Sequence, residues 1–259
     1  MPAVVTFPAA LPIVQAPMAG VQDTALAIAV GRAGGLGSLP CAMLSADELT
    51  AQLQELGAAG VTNYNLNFFC HETPTPDESR EARWRAALKR YYDELEISAE
   101  TGAPGAGRRP FSAEVLERIR PFEPRVVSFH FGLPRREWVD EIKGWGGLIW
   151  STATTVEEAR WLENRGADAI IVQGLEAGGH RGMFLSDDLA TQTPTRELLS
   201  GIRRQTRLPL IAAGGIASTE LVRTYMDAGA REVQVGTAYL CCDESNARHS
   251  HRYLLTQTG

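Results

Sequence analysis

The amino-acid sequence predicts an α/β protein of the (β/α)8 TIM-barrel type, and three observations support this fold class. Eight short apolar runs alternate with stretches of helical periodicity along the chain. The segments RGADAIIVQG and AGAREVQVGT repeat one order of features, in which a helix end and a Gly-Ala pair precede a strand and a further glycine. The chain has 259 residues, of which 44% are hydrophobic, and this length suits one barrel. We therefore expect residues 1–259 to form a single domain.

The predicted strands are short and mostly apolar. In chain order they span 11–16, 36–39, 61–68, 126–130, 148–152, 169–173, 208–212 and 232–235. Helix signals fill the gaps between them, because SADE at 45–48 and TVEE at 155–158 have the pattern of a capping box. Gly60, Gly166 and Gly229 each follow a helical run and precede a strand, where a positive φ often ends a helix.

A doubly wound parallel sheet is the competing fold, because it also alternates strands with helices. Such a sheet usually carries its phosphate-binding glycines directly after the first strand. The glycine-rich segment GRAGGLG at 31–37 does not match GxGxxG and precedes a strand. It therefore indicates a turn from a helix into a strand, and the barrel is the preferred interpretation.

One connection is longer than a barrel requires. Residues 69–125 separate the third and fourth strands and contain a charged helical stretch at 78–97, the loop TGAPGAGRRP and a second helix at 112–119. A long insertion after a strand lies at the carboxyl-terminal face of a barrel, over the active site. Two interpretations stay open, namely a lid over the site and a surface excursion without a functional role.

Composition argues against several classes of function. The net charge is -6, the pI is near 5.5 and no basic patch stands out, so nucleic acid is not an expected partner. No apolar run reaches the roughly 18 residues of a membrane-spanning helix, and the amino terminus lacks the basic region of a signal peptide. We therefore expect a cytoplasmic protein without a membrane partner. The four cysteines, at 41, 70, 241 and 242, form no CxxC pair, which predicts reduced thiols in or near the core and no metal site.

The carboxyl-terminal ends of the strands are where a barrel enzyme builds its site. Amides, small residues and glycines dominate these ends, which carry APMAG at 16–20, Asn65, Asn67, His130, Thr152, Gln173, Ala213, Gly214, Gly215, Gly236 and Thr237. A hydrolase would present paired carboxylates, or a nucleophile with its base, and these ends offer neither. Such a rim favours a flat, hydrogen-bonding cofactor.

The last two strands indicate where a phosphate would bind. The seventh strand runs through Ala213 into Gly214 and Gly215, and a helix begins shortly afterwards in LPLIAAGGIAST. The eighth strand ends in Gly236 and Thr237. Loops at these two positions commonly form a phosphate pocket, because glycines let backbone N–H groups approach the anion and a helix amino terminus adds a favourable dipole.

Four stretches carry a resemblance to a known family: PIVQAPMAG, QGLEAGGHRG, LPLIAAGGIA and QVGTAYL. In this order they resemble the flavin-dependent nitronate monooxygenases, formerly called 2-nitropropane dioxygenases, over residues 11–245. The resemblance implies an FMN-binding barrel that oxidises nitroalkanes or alkyl nitronates, such as propionate 3-nitronate, with O2. Small molecules would then be its substrates.

The resemblance also implies roles for individual residues. Met18 and Ala19 would lie against the flavin ring, and Asn67 and Gln173 would hydrogen-bond its polar edge. The histidine of AGGH, His180, would be the catalytic residue. The flavin phosphate would be held by Gly214, Gly215, Gly236 and Thr237.

His180 follows the sixth strand on a glycine-rich loop that can carry it over a bound flavin. Its unperturbed pKa of about 6.5 lets an imidazole act as a base or as a cation near neutral pH. Gly178 and Gly179 permit close approach of the backbone to cofactor or substrate. Two roles stay open: neutral His180 takes the α-proton of a nitroalkane, or protonated His180 holds an anionic nitronate by a charge-assisted hydrogen bond.

The other histidines are weaker candidates. His130 ends the fourth strand, and we expect it either to bind substrate in the site or to point between barrel and helix. His71 follows the third strand, whereas His249 and His251 lie in a polar tail that we expect to be solvated.

Two other functions and two structural questions stay open. An enoyl-ACP reductase would need NAD(P)H and a basic groove, for which Arg135-Arg136 and Arg108-Arg109 are available. A degenerate barrel could bind flavin without catalysis. Members of the family usually continue well beyond the eighth strand, whereas this chain stops at Gly259, so we expect either a short final helix or a truncated chain. A homodimer that covers the exposed face also stays open.

Overall fold

The computed structural model describes residues 7–98 and 107–257 and contains an eight-stranded parallel sheet surrounded by helices. The strands β1 to β8 span Ile13–Gln15, Gly37–Pro40, Tyr64–Phe69, Val126–His130, Leu148–Ala153, Ala169–Gln173, Leu210–Ala213 and Glu232–Val235. The helices α1 to α9 span Thr24–Arg32, Ala46–Ala58, Glu78–Glu94, Ala113–Ile119, Arg136–Gly144, Val156–Asn164, Thr195–Arg203, Thr219–Asp227 and His249–Gln257.

Hydrogen bonds between the first two strands close the sheet into a barrel. The eight strands are paired in the order β1-β8-β7-β6-β5-β4-β3-β2. A parallel bridge joins Val14 on β1 to Leu36, the residue before β2. At this bridge the N–H of Gln15 donates to the carbonyl of Leu36, and the N–H of Leu36 donates to the carbonyl of Ile13, both at 2.9 Å. The predicted (β/α)8 barrel is confirmed.

Apolar side chains pack on both sides of the barrel wall, because successive strand residues face opposite sides. Outside it, Phe129 and Ile149 join the core formed with the surrounding helices. Inside it, Trp150, Ile171 and Ala213 belong to a separate buried cluster. Ile171 and Ala213 also line the cavity described below, so the inner core forms the floor of that cavity.

The strand bounds predicted from the sequence lie close to the observed bounds. Predicted and observed bounds agree for β4, β6 and β8, and the other strands differ by one to three residues at one or both ends. The three glycines predicted to end helices all have positive φ, at 72° for Gly60, 96° for Gly166 and 103° for Gly229. The predicted final helix is also present and short, with nine residues.

The two predicted capping boxes have different outcomes. Ser45 and Glu48 form both reciprocal hydrogen bonds of the box. At the second position the Oγ of Thr155 accepts from the N–H of Glu158 at 3.2 Å, but the carboxylate of Glu158 does not return to the N–H of Thr155. It binds Thr154 and a distant loop instead, so the reciprocal half of this prediction is wrong.

The long insertion after β3 has an exposed part and an anchored part. Helix α3 buries none of its residues, whereas α4 buries Leu116 and Ile119 and is capped by Ser112. Both predicted helices are confirmed, with α3 ending at Glu94 rather than at residue 97. Most of the predicted loop TGAPGAGRRP falls on residues 99–106, which lie outside the described residues.

Two properties of the chain concern its surroundings and its thiols. Among the described residues, no helix combines the length and the apolar character needed to cross a bilayer. The cysteines are free thiols, of which Cys41 is buried, Cys70 and Cys242 are partly buried and Cys241 is exposed. Burial raises the pKa of Cys41 and Cys70 well above the usual thiol value, so neither is disposed to react as a thiolate.

Glu232 places a carboxyl group inside the lower half of the barrel. It shares one face of β8 with Gln234, which lines the cavity, and its exposed fraction is 3%. Burial raises the pKa of Glu232 to about 7, although the charge of Arg231 opposes this shift. The carboxyl therefore binds its proton more tightly in the folded chain than in the unfolded chain.

We predict that Glu232 makes the protein less stable as pH rises from about 4.5 to about 7, because the unfolded chain loses this proton first. The total effect is up to about 3 kcal/mol. Glu232→Gln should flatten this dependence and raise the free energy of unfolding at pH 8, measured by urea denaturation between pH 4 and 9. Glu117→Gln, at an exposed position on α4, is the control. A parallel pH dependence in Glu232→Gln and the parent chain would contradict the assignment.

Candidate active site

A cavity of about 550 Å³ opens at the carboxyl-terminal ends of the barrel strands, a size typical of small-molecule sites. Most of the residues that the sequence singled out for catalysis or binding line this cavity, namely Met18, Ala19, Asn67, His130, Gln173, Gly178, Gly179, His180, Ala213, Gly214, Gly215, Gly236 and Thr237. Asn65 and His71 do not line it; Asn65 is buried and donates to the hydroxyl of Ser38 at 3.0 Å. His251, expected to be solvated in the tail, is exposed and also lines the cavity. Parallel strands bring these positions together because all their carboxyl ends lie on one face.

Two buried glutamines hold the loop that follows β1. Gln22 accepts from the N–H of Met18 at 2.8 Å and donates to the carbonyl of Ser38 at 2.6 Å. Gln15 donates to Gln22 at 2.7 Å and accepts from the N–H of Ser38 at 2.9 Å. Because both glutamines are less than 10% exposed, these bonds fix Met18 and Ala19 at the edge of the cavity.

Asn67 lies on β3, two strands away from β1 in the cavity wall. Its side-chain N–H donates to the hydroxyl of Ser128 at 3.0 Å, on the neighbouring strand β4. The residue is 7% exposed. The bond orients the Asn67 amide within the cavity wall, and its contact with a flavin stays a prediction.

The carbonyl oxygen of His180 is fixed by side chains from two strands. The ring Nε2 of His130, on β4, lies 3.0 Å from this oxygen, and the amide Nε2 of Gln173, on β6, donates to it at 2.9 Å. Gln173 also accepts from the N–H of Gly182 at 2.7 Å. The backbone of the loop is thereby held while the imidazole of His180 stays exposed at the cavity.

The hydrogen bonds of His130 determine its tautomer. A carbonyl oxygen can only accept, so Nε2 must carry the proton that it donates to His180. Nδ1 then accepts from the hydroxyl of Thr152 at 2.9 Å. Burial lowers the pKa of His130 to about 4, so the ring is neutral at pH 7. With both nitrogens engaged, His130 positions the His180 loop; direct binding of substrate by His130 stays a prediction.

Gly182 is required where this loop crosses the ring of His130. A Cβ at Gly182 would lie 2.7 Å from Cε1 of His130 and 2.7 Å from Cγ2 of Thr152. Real side chains do not approach so closely, so the two hydrogen bonds to His180 and Gly182 depend on a glycine here. The AGGHRG stretch thus has one glycine for packing in addition to the two that face open space, Gly178 and Gly179.

Aromatic rings surround the imidazole of His180. Phe69 and Phe131 lie edge-on to it, with ring centroids 5.4 Å and 6.2 Å away. Phe131 also packs on His130 at 4.7 Å and has a φ of 67°, which is costly for a side chain of this size. This strained turn after β4 brings the Phe131 ring between the two histidines.

The charges around His180 favour its neutral form. Burial lowers its pKa, and the positive charge of Arg108 and the ring of His71 lower it further. Neither ring nitrogen of His180 is hydrogen-bonded within residues 7–98 and 107–257. The imidazole is therefore a free base that faces the cavity at neutral pH.

Two carboxylates, exposed Glu176 and buried Glu158, hold the two ends of the loop that carries His180. At its start, Glu176 accepts from the N–H and the hydroxyl of Thr195 at 2.8 Å and 2.6 Å. At its far end, Glu158 accepts from the N–H groups of Phe184 and Leu185 at 2.7 Å and 3.2 Å. Burial raises the pKa of Glu176, but the bonds from Thr195 outweigh this effect and leave its pKa below the usual value.

Arg181, a residue of the same loop, holds the first half of the loop by hydrogen bonds to its backbone. Its guanidinium donates to the carbonyls of Gly174 at 2.7 Å and of Ala177 at 2.9 Å. The carbonyl of Gly174 also accepts from the N–H of Ala177 at 3.1 Å, so Arg181 adds a second donor to this turn and a donor for the carbonyl of Ala177.

The glycines after β7 allow the next loop to pack on this one. Gly214 and Gly215 have φ values of 134° and 67°. A Cβ on Gly214 would lie 2.6 Å from the hydroxyl of Thr195, and a Cβ on Gly215 would lie 3.0 Å from Cβ of Glu176. Helix α8 begins four residues after Gly215, at Thr219.

Sequence reasoning missed Gln15, Gln22, Glu158 and Arg181 as parts of the site. A signal existed for Gln15, because a glutamine in the apolar run PIVQAP needs hydrogen-bond partners when it is buried. Glu158 gave a misleading signal, because it fits a local capping box. Its partners lie 26 and 27 residues away in the chain, and only the fold brings them together.

Comparison with known proteins gives consistent matches. A family model described as nitronate monooxygenase matches residues 3–259. A nitronate monooxygenase of Pseudomonas aeruginosa is 38% identical over 94% of this chain and 70% of the relative, and one of Paraburkholderia phytofirmans is 37% identical over 94% of this chain and 67% of the relative. The solved structure of a nitroalkane oxidase from Streptomyces ansochromogenes aligns with a TM-score of 0.84 and 37% identity, over 96% of this chain and 71% of that one.

We predict that Glu158→Gln destabilises the protein by about 2 kcal/mol, because a carboxamide cannot accept from four donors and leaves buried N–H groups unpaired. Urea denaturation should show the loss, and limited proteolysis should show faster cleavage within residues 174–194. The matched control is Glu157→Gln, one residue away and exposed. Equal protection of the loop in both variants would show that Glu158 does not hold it.

Proposed function

The chain belongs to the nitronate monooxygenase family, and we propose that it is an FMN-dependent enzyme that oxidises alkyl nitronates or nitroalkanes with O2. The observation that supports this most directly is His180, a free imidazole held by its backbone at the mouth of the barrel cavity. The whole chain acts as one catalytic domain in this proposal. Propionate 3-nitronate is the substrate with which we would test it first.

Two observations support the fit of FMN to the residues of the cavity. The buried Oε1 of Gln234, in the cavity wall, has no hydrogen-bond partner among the described residues, as expected of a group that serves a polar ligand. Among the described residues, a Cβ added at Gly236 would contact only Ala16 and Met18, at 3.5 Å and 3.7 Å. A side chain at this position would therefore fill the cavity. Gly214, Gly215, Gly236 and Thr237 would hold the phosphate, and Met18, Ala19, Asn67 and Gln173 would border the ring.

The electrostatics favour one of the two roles considered for His180. A pKa below the usual imidazole value makes the neutral form dominant at pH 7. Neutral His180 takes the α-proton of a nitroalkane on a ring nitrogen, the C–H bond breaks, and the electron pair stays on the nitronate. A bound flavin would then supply the redox chemistry, accepting electrons from the nitronate and passing them to O2. When a nitronate is the substrate, no proton needs to be removed, and His180 orients it.

The alternative functions have less support from the same residues. Of the two arginine pairs available for the basic groove of an enoyl-ACP reductase, Arg108-Arg109 places Arg108 but not Arg109 at the cavity. In the other pair, Arg135 stacks on Trp138 at 4.3 Å and Arg136 pairs with Asp140 at 2.8 Å on helix α5. Neither lines the cavity. A flavin-binding barrel without catalysis would give the free base at His180 no chemical role.

The first experiment follows the visible absorbance of the FMN-supplemented protein, made anaerobic and mixed with propionate 3-nitronate. We expect bleaching of the oxidised flavin, because the nitronate donates electrons and O2 is absent. A flavin that stays oxidised with the nitronate but bleaches with NADH would favour the reductase. A bound flavin that no donor reduces would favour the degenerate barrel.

We predict that His180→Ala keeps FMN but loses at least about 100-fold in kcat/KM with nitroethane, since general-base catalysis typically contributes this much. Flavin content is measured by absorbance and turnover by O2 consumption. His249→Ala is the control, because His249 begins helix α9 and does not line the cavity. Undiminished turnover in His180→Ala would remove His180 from the mechanism.

The pH profile of kcat/KM with nitroethane should report the same base. Activity should fall as pH drops through the pKa of His180, and the inflection should lie below the ordinary imidazole value of about 6.5. A rise in activity on acidification would instead indicate that His180 acts in its protonated form.

A further inference from the structure

We propose that Arg108 is a specificity-determining residue that binds a second anionic group of the substrate, such as a carboxylate, and so favours nitronates with a charged tail. This inference rests on the proposed function. It concerns the chemical class of substrate that the same cavity takes.

The backbone that directly follows Arg108 is anchored to the barrel. The N–H of Arg109 donates to the carbonyl of Ala42 at 2.9 Å, and the N–H of Phe111 donates to the carbonyl of Phe69 at 2.8 Å. Pro110 also forms a parallel bridge with Phe69, at the end of β3. Arg108 therefore sits at a fixed position where the insertion returns along β3, although most of helix α3 projects into solvent.

The side chain of Arg108 lies within reach of the reacting region. It lines the cavity together with His180 and Phe69, and the ring of Phe69 packs on His180 at 5.4 Å. Its charge also contributes to the lowered pKa of His180. Arg108 and His180 therefore line one cavity of about 550 Å³, in which a small substrate can meet both.

No protein carboxylate neutralises Arg108 in the described part of the chain. Glu176 is the one acidic side chain of the cavity lining within that part, and its Oε2 is engaged by Thr195. The rest of the lining carries Arg108, His130, His180 and His251 as its other titratable groups. Because His130 and His180 are neutral at pH 7, Arg108 is the cation of this lining that has no carboxylate partner among the described residues. A guanidinium is well shaped to bind a carboxylate through two parallel hydrogen bonds.

The flavin phosphate is the other anion that Arg108 could bind, and the barrel topology argues against it. The proposed phosphate site lies at the ends of β7 and β8, whereas Arg108 is anchored beside β3. In the strand order of the sheet, β3 and β7 are four positions apart, which places them on opposite sides of an eight-stranded barrel. Arg108 therefore faces the substrate side of the cavity.

The test compares two nitronates of equal chain length on the FMN-loaded enzyme. Propionate 3-nitronate carries a carboxylate, and propyl 1-nitronate does not. For Arg108→Gln we expect kcat/KM for propionate 3-nitronate to fall at least about 10-fold, mainly through KM, because a charge-assisted hydrogen bond is lost. The value for propyl 1-nitronate should stay within about 2-fold. Arg108→Lys should recover part of the loss.

Arg109→Gln is the matched control, because Arg109 is exposed and does not line the cavity. Equal losses on both substrates would show that Arg108 binds the nitronate group itself and would overturn the proposal. Release of FMN from Arg108→Gln, measured by absorbance after gel filtration, would also overturn it by assigning Arg108 to the cofactor.

A binding measurement separates this inference from the proposed function. Anaerobic calorimetry compares 3-nitropropionate with 1-nitropropane and requires no turnover. A preference for 3-nitropropionate that Arg108→Gln loses and Arg109→Gln keeps would support the anion site even if the enzyme oxidised no nitronate. If the parent chain shows no preference, the anion site is wrong whatever the outcome of the turnover assay.

Discussion

The site depends on one acceptor, the backbone carbonyl oxygen of His180. It receives hydrogen bonds from His130 on β4 and from Gln173 on β6, so two strands of the barrel fix the position of a loop residue. Because the bonds go to the backbone, the imidazole remains free to exchange a proton. The barrel wall therefore fixes the backbone position of His180, while its side chain remains available for proton transfer.

Buried polar groups extend this support to the rest of the loop, and each has a defined partner. Glu158, with an exposed fraction of 1%, accepts four hydrogen bonds from Thr154, Phe184 and Leu185. An ion in such a place is stable only when its lone pairs are satisfied. The same requirement makes the loop conformation specific, because any other arrangement would leave a buried carboxylate without donors.

The sequence predicted the fold well because the signals for strands and helix ends are local. The runs at 126–130, 169–173 and 232–235 needed only apolar patterning and flanking glycines to be placed correctly. The positions of the site residues also followed, since the carboxyl ends of parallel strands converge. The hydrogen-bond partners did not follow. Glu158 satisfied a local motif but used its carboxylate 26 residues away, and His251 entered the cavity lining from a helix beyond the barrel.

The two sides of the cavity present different chemical groups. The strands β6 to β8 end in Gln173, Gly214, Gly215 and Gly236, which offer backbone and amide groups, and the loop after β6 adds the carboxylate of Glu176. The side of β3 gains its only lining cation in the described residues, Arg108, from the returning end of the insertion. Phe69, the last residue of β3, places its ring 5.4 Å from that of His180, and the segment that follows Arg108 pairs with the backbone of Phe69 through Pro110 and Phe111. The aromatic contact to His180 and the position of the cation therefore both depend on the end of β3.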